Sequence, residues 1–314
     1  MSISHIESSD FNKNRLKELK GDKKLYVVFS TFGEREAQLI YDKISLLKNE
    51  LGDLIDKIYL SHRRASSAME LTEEKAMEAD EETEIILCND FQVPDMGNEK
   101  GKGADMRRTL YHINKTAQIH SQKKTCIVYL DADVVPEHFG IHFVIALASA
   151  VFQGNDFAKA SFWRAMGRVK KFVAQPLFSV VDHPSLRGLS HLAYPLSGEV
   201  AGTIEFFNSV HFWQIYGVET GINIDSIMGQ WNMADVNLGL YDHEHHGDEG
   251  IQKMSFGIMR TYLKQLEDYG LIEFKDGASI SDTFNASMIN EDGERENLFF
   301  DLTEEKYQPV KNIL

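Results

Sequence analysis

Thr125-Cys126-Ile127-Val128-Tyr129-Leu130 runs directly into Asp131-Ala132-Asp133, and this stretch decides the fold. An unbroken apolar run of this length, closed by polar residues, suits a strand covered on both faces. Three more runs precede it: residues 25–29, 55–60 and 84–88. Between them lie segments with helical spacing. The clearest is 34–51, where Ala37, Ile40, Ile44, Leu47 and Leu51 fall on one face; 71–79 and 104–119 follow the same rule. Strands alternating with helices predict an α/β chain with a Rossmann-like, mostly parallel sheet flanked by helices. Ligands of such sheets bind beyond the carboxyl ends of the strands, which directs attention to the loops after residues 29 and 130.

Beyond residue 156 the pattern loosens. Strands are expected near 159–163 and 235–241, helices near 171–189, 220–230 and 248–269, and a strand-to-helix turn within 195–207. The expected organisation is an extension at 1–24, a nucleotide-binding half at 25–155, a second half of the same domain at 156–270, and an acidic tail at 271–314. The tail is expected on the outside or at the contact of a homodimer.

The chain has 314 residues, 33 basic against 48 acidic, for a net charge of −15. That balance excludes a non-specific nucleic-acid binder but leaves room for a local cationic pocket. Cys88 and Cys126 sit in apolar runs and read as free, buried thiols. The polar first 24 residues lack an apolar signal region, and no window has the length of a membrane span, so a cytoplasmic protein without a membrane partner is expected.

Four segments carry chemistry. After the fourth strand, alternation sends Asp131 and Asp133 to one side. Clustered carboxylates are hard oxygen ligands suited to Mg²⁺ or Mn²⁺, although an Asp-rich turn in solvent has the same letters. Gly101-Lys102-Gly103 before a helix can cradle phosphate or simply start the helix; it is not a Walker A loop. In Pro195-Leu196-Ser197-Gly198-Glu199-Val200-Ala201-Gly202, glycines flank a glutamate, as in a backbone that approaches a ligand or in a tight turn. Asp242-His243-Glu244-His245-His246-Gly247-Asp248 is dense in metal-binding side chains but lacks the HExxH spacing. Arg63-Arg64 and Gly167-Arg168-Val169-Lys170 add cations that can capture carboxylate or phosphate, or lie on the surface.

In this order the segments resemble one family, the glucosyl-3-phosphoglycerate synthases, with mannosylglycerate synthase a more distant relative. These are retaining GT-A glycosyltransferases that make compatible-solute or polysaccharide-primer glycosides of glycerate. The resemblance rests on Gly101-Lys102-Gly103, Asp131-Ala132-Asp133, Gly167-Arg168-Val169, Gln175-Pro176-Leu177, residues 195–202, Tyr216-Gly217-Val218-Glu219, Val236-Asn237-Leu238-Gly239 and His243. It implies a metal held by Asp133 and His243, with Asp133, Glu199 and Glu219 catalytic. It places the nucleotide-sugar at Ser30, Thr31, Phe32, Glu34, Ser61, Lys102, Asp131, Ala132 and Glu199. It places a small acidic acceptor at Gly167, Arg168, Val169, Lys170 and His245.

The sequence departs from the family at several points. The family's Pro-Ala-Leu-Asn-Glu loop is Ser30-Thr31-Phe32-Gly33-Glu34 here, and the acidic residue after the second strand is replaced near Ser61. These changes leave the donor open between a UDP- and a GDP-hexose. Lys170 and His245 stand where the family has threonine and asparagine, which leaves the acceptor open between 3-phosphoglycerate and glycerate. A nucleotidyltransferase would show a better glycine loop after the first strand. An inactive sugar-nucleotide sensor would have no use for an intact Asp133 and His243.

Overall fold

The computed structural model describes residues 3–117, 124–163, 167–241 and 247–314. Along the chain run β1 (Ser4–Glu7), α1 (Lys13–Lys20), β2 (Lys24–Phe32), α2 (Ala37–Leu51), β3 (Lys57–Arg63), α3 (Leu71–Ala79), β4 (Glu84–Leu87), α4 (Lys102–Thr116), β5 (Thr125–Asp131), α5 (His142–Phe152) and β6 (Phe157–Trp163). A π-helical turn (Lys170–Ala174) then leads into α6 (Gln175–Val180). After it come β7 (Val200–Thr203), α7 (Ile204–Ser209), β8 (Phe212–Trp213), α8 (Val218–Met228), β9 (Met233–Leu240), α9 (Asp248–Asp268), β10 (Thr283–Ile289), β11 (Arg295–Asp301) and β12 (Lys306–Tyr307).

Among the described residues the main sheet has eight strands in the order β1-β9-β6-β7-β5-β2-β3-β4. The predicted parallel arrangement holds except at β7, which runs antiparallel between β5 and β6. One face packs under α1, α2 and α5, with Val27, Phe29, Ile40, Ile44, Leu47, Val128 and Phe143 buried together. The other packs under α4, α7, α8 and α9, with Val28, Ile127, Leu110, Phe206, Phe207, Ile222 and Tyr262 buried. Each such side chain contributes about 1.5–3 kcal/mol relative to exposure, so a strand buried on two faces tolerates few polar residues. Cys88 and Cys126 lie in this core as free thiols, and burial pushes the Cys88 thiol up to about 12.

Three features go beyond the periodicity. The residues before 25 are not appended to the domain: β1 pairs with β9 as the sheet's edge strand. Helix α5 is buried along nearly its whole length, so it carries no amphipathic period to read. The tail folds back as a β10–β11 hairpin whose Phe284 meets Phe256 of α9 at 5.6 Å between ring centroids, and β12 pairs with β8. No described helix is long and apolar enough to cross a membrane.

Candidate active site

A cleft of about 340 Å³ opens beyond the carboxyl end of β5. Its walls include Asp131 and Asp133, Lys102 from the first turn of α4, residues 196–199, Glu219 from the first turn of α8, residues 167–170 leading into the π-helical turn, and Tyr241. The parallel register sets Ser30 beside Asp131 and Ser61 at the matching level of three adjacent strand ends. The two carboxylates of Asp131-Ala132-Asp133 both line the cleft, as alternation predicts. Ala132 turns inward, and its carbonyl accepts from the ammonium of Lys43, a buried lysine on the apolar face of α2.

Lys102 is the cation at the cleft's centre. Its Nζ lies 2.6 Å from Asp131 Oδ1 and 3.1 Å from Glu219 Oε1. Burial disfavours its charge, but Asp131 and Glu219 outweigh that and hold its pKa above the ordinary lysine value. The glycines on either side of Lys102 serve packing. A Cβ on Gly103 would lie 1.8 Å from the Trp213 carbonyl oxygen, and one on Gly101, at φ +140°, 2.3 Å from that of Gln214. The Ala104 N–H, in the first turn of α4, already donates to Gln214 at 3.2 Å. Gly198 presses on the same centre: a Cβ there would sit 2.1 Å from both Asp131 Oδ2 and Lys102 Nζ.

Glu199 forms the floor. Ser197 Oγ donates to its carboxylate at 2.8 Å and Tyr241 OH at 3.2 Å. Burial, with the charge of Asp131 close by, pushes its carboxyl up to about 7. Below it the fully buried Lys159 of β6 donates to the Ser197 carbonyl at 2.9 Å.

On the opposite wall, Gly167 takes φ +40°, a left-handed conformation that glycine adopts at no steric cost. Arg168 is exposed and pairs with Asp248 at 3.0 Å. The Lys170 ammonium sits over the Tyr194 ring, 4.7 Å from its centroid. Burial, and then neighbouring Lys171, lower its pKa. Val169 lines the cleft beside them, and Ile215, Tyr216, Ile251, Met254 and Ile258 complete an apolar side.

The nucleoside residues are more dispersed. Ser30 is half-buried at the end of β2, and Phe32 is 56% exposed. The Thr31 hydroxyl is bound to His62 Nδ1 at 2.9 Å in the interior. Glu34 accepts from the Leu71 N–H at 3.0 Å, at the start of α3. Ser61 is buried, with its Oγ accepting from Thr109 at 2.7 Å, so it lies beneath the surface of the cleft. The arginines that follow are internal struts: Arg63 forks onto Asp105 and Arg64 onto Glu73.

His243 and His245 lie outside the described residues. Among the described residues no group of three or more His, Cys, Asp or Glu side chains forms a metal cluster. The chemistry of Asp133 still fits a hard divalent cation. It is a half-buried carboxylate on the cleft wall, and no ion pair links it to the described residues, whereas Asp131 is engaged by Lys102.

Sequence reasoning missed Lys43, Lys159, Tyr194 and Tyr241. The first two had a signal: a lysine on an apolar helical face and a lysine inside an apolar strand are rarely buried without a partner. The tyrosines had none, because only the folded chain brings them to the cleft.

No family model matches the chain. Curated sequence relatives do. The glucosyl-3-phosphoglycerate synthase of Petrotoga mobilis is 29% identical over 277 residues, covering 82% of this chain and 78% of that protein. The enzyme of the same name from Mycolicibacterium smegmatis is 27% identical over 260 residues, covering 80% of each. Among solved structures, mannosyl-3-phosphoglycerate synthase from Rubrobacter xylanophilus superposes with a TM-score of 0.82 over 99% of this chain and 96% of that one, at 23% identity. Glucosyl-3-phosphoglycerate synthase from Mycobacterium tuberculosis, in complex with Mn²⁺, UDP and phosphoglyceric acid, does so at 0.74 over 97% and 96%, also at 23%. At these identities the structures speak for the fold, and the sequence relatives carry the kinship. Sequence and fold together support the resemblance of this chain to the glucosyl-3-phosphoglycerate synthases.

Proposed function

We propose that this chain transfers glucose from UDP-glucose to 3-phosphoglycerate with retention of configuration. The observation that carries the proposal is a single cleft in which Lys170 and Arg168 share walls with Lys102, Asp131 and Glu219. A cationic side for an acidic acceptor and a carboxylate-lysine side for a sugar diphosphate are thereby brought within one small volume. The relatives of that name support the choice of substrates, as does the Mycobacterium tuberculosis structure with Mn²⁺, UDP-glucose and phosphoglyceric acid.

Asp133, with His243 as the family resemblance implies, would hold Mg²⁺ or Mn²⁺. A bound divalent cation neutralises the charge that grows on the departing diphosphate. The chain's own residues orient the reactants. Glu199 accepts hydrogen bonds from the sugar hydroxyls, Arg168 and Lys170 hold the acceptor's acidic groups, and Glu219 faces the reacting hydroxyl. Glu199 is already engaged by Ser197 and Tyr241, which suits it to orientation rather than covalent attack. The acceptor oxygen therefore bonds to the anomeric carbon on the face the diphosphate leaves, and its proton passes to the leaving phosphate oxygen. Catalysis rests on positioning and electrostatics.

A second reading, mannosyl transfer from a GDP-sugar, draws on the mannosyl-3-phosphoglycerate synthase fold match and on the altered loop at 30–34. The test is a donor-by-acceptor matrix: UDP-glucose and GDP-mannose against 3-phosphoglycerate and glycerate, with Mg²⁺ or Mn²⁺. Products are read by NMR at the anomeric centre. UDP-glucose with 3-phosphoglycerate should give the fastest turnover with retention. Preference for GDP-mannose or glycerate, or an inverted product, rejects the assignment.

A further inference from the structure

The acidic tail contributes no side chain to the lining of the cleft, and Glu304 lies outside it. Yet Glu304 is a carboxylate with only 6% of its surface exposed. Its Oε1 accepts from the N–H groups of Ile215 and Gly217, the latter at 3.0 Å, and its Oε2 accepts from Arg260 of α9. Gly217 is the N-cap of α8, where backbone N–H groups lack helical partners and a negative charge is favourable. Helix α9 packs closely against the same loop. A Cβ on Gly217 would meet Thr261 Oγ1 at 2.2 Å, and one on Gly257 would meet Tyr216 Cβ at 2.8 Å.

The same tail grips the other wall. β12 pairs with β8, and the Gln214 N–H donates to the Glu305 carbonyl at 2.9 Å. In the reverse direction the Glu305 N–H donates to Gln214 Oε1 at 3.2 Å. Gln214 in turn holds the start of α4: its carbonyl accepts from Ala104, and its Nε2 donates to the Lys100 carbonyl at 2.9 Å. Residues 213–217 are thus one short segment, with the start of α4 on one side, the start of α8 at its end, and the tail along its length. Those two helix starts carry Lys102 and Glu219, which meet at 3.1 Å.

We infer that Glu304 is a positioning residue for glycosyl transfer, and that the tail is a clamp which sets the distance between Lys102 on the donor side and Glu219 on the acceptor side. The kinetic part of this inference rests on the proposed reaction; the mechanical part does not.

The test compares wild type, Glu304→Gln and Glu304→Ala, with Leu16→Ala on the opposite face as a stability-matched control. Hydrogen exchange over residues 213–221 reads the clamp directly and needs no turnover. Steady-state kinetics with both substrates reads the consequence. Exchange should quicken in the order wild type, Gln, Ala, because the amide oxygen still accepts but without charge. Losing charge-assisted bonds costs about 1.5–3 kcal/mol, so kcat should fall roughly ten- to a hundred-fold in the Ala variant. Donor KM should stay near wild type. If Glu304→Ala does not fold, Glu304→Gln decides alone: faster local exchange with a lower kcat supports the clamp. Wild-type exchange at 213–221, a kcat loss matched by Leu16→Ala, or Gln indistinguishable from wild type overturns it. Should wild type fail to glycosylate 3-phosphoglycerate, the proposed reaction falls, and the exchange result still decides the clamp.

Discussion

At the scale of single residues, the site is built on buried charges. Lys159 is fully buried, and burial pushes its pKa down to about 8 despite carboxylates at Glu219, Glu199 and Asp235. A lysine whose pKa is lowered on folding binds its proton more weakly in the folded state. Below about 8 both states are protonated, and the group adds no pH dependence. Above about 8 only the unfolded state keeps the proton, so stability rises with pH until the unfolded lysine also titrates near its model value of 10.5. Each pH unit inside that window is worth up to about 1.4 kcal/mol. Urea unfolding of wild type and Lys159→Met at pH 7.5 and 9.5 checks this. The variant should lack part of the gain that wild type shows between the two pH values. An equal gain in both proteins means that Lys159 does not titrate in this window.

At the scale of elements, the wall proposed to hold the acceptor is one short unit: a left-handed glycine, three side chains that line the cleft, and a π-helical turn. π-turns are rare and concentrate at functional sites. Arg168 spends its charge on Asp248, whose side chain is 86% exposed. A pair this open to solvent contributes about 0–1 kcal/mol, so an incoming anion can displace it. Lys170 is more enclosed and rests on Tyr194. Arg168→Ala should therefore raise KM for 3-phosphoglycerate and for glycerate alike, by about ten-fold or more if a charge-assisted contact is lost. Lys170→Thr should raise KM mainly for the phosphorylated acceptor. Steady-state kinetics with the two acceptors reads both effects, and unchanged acceptor use in either variant removes that side chain from the pocket.

At the scale of the whole molecule, a chain of net charge −15 must gather an anionic donor and an anionic acceptor in one cleft. Local cations do part of this, and the divalent ion proposed at Asp133 would supply the rest. Ligands that bind only the folded state raise its melting point, by about 2.7 kcal/mol of stability at a hundred times Kd. UDP should thus raise the Tm of wild type strongly with Mn²⁺ or Mg²⁺ and weakly in EDTA. Asp133→Ala should keep the unliganded Tm and lose the metal-dependent increment. A strand-end carboxylate outside the core has little to do with folding, so an unfolded variant would instead make Asp133 structural. A UDP response that is the same with and without metal would remove the metal from Asp133.

Local chemistry determined much of this protein. The apolar runs of β2 to β5 and the helices between them are legible because buried strands and amphipathic helices impose their own periods. Asp131, Asp133 and Lys102 are legible because carboxylates at a strand end and a lysine at a helix start sit where parallel sheets bind ligands. The rest depended on contacts between distant parts of the chain. β1 is a four-residue strand that exists only because β9 offers an edge. Helix α5 is apolar on every side, so its sequence carries no face. Lys43 finds the Ala132 carbonyl 89 positions away, and Glu304 finds Gly217 across 87. Such partners leave no periodic trace, because a buried charge is tolerated only where folding happens to bring its hydrogen bonds, and that is settled by the tertiary structure alone.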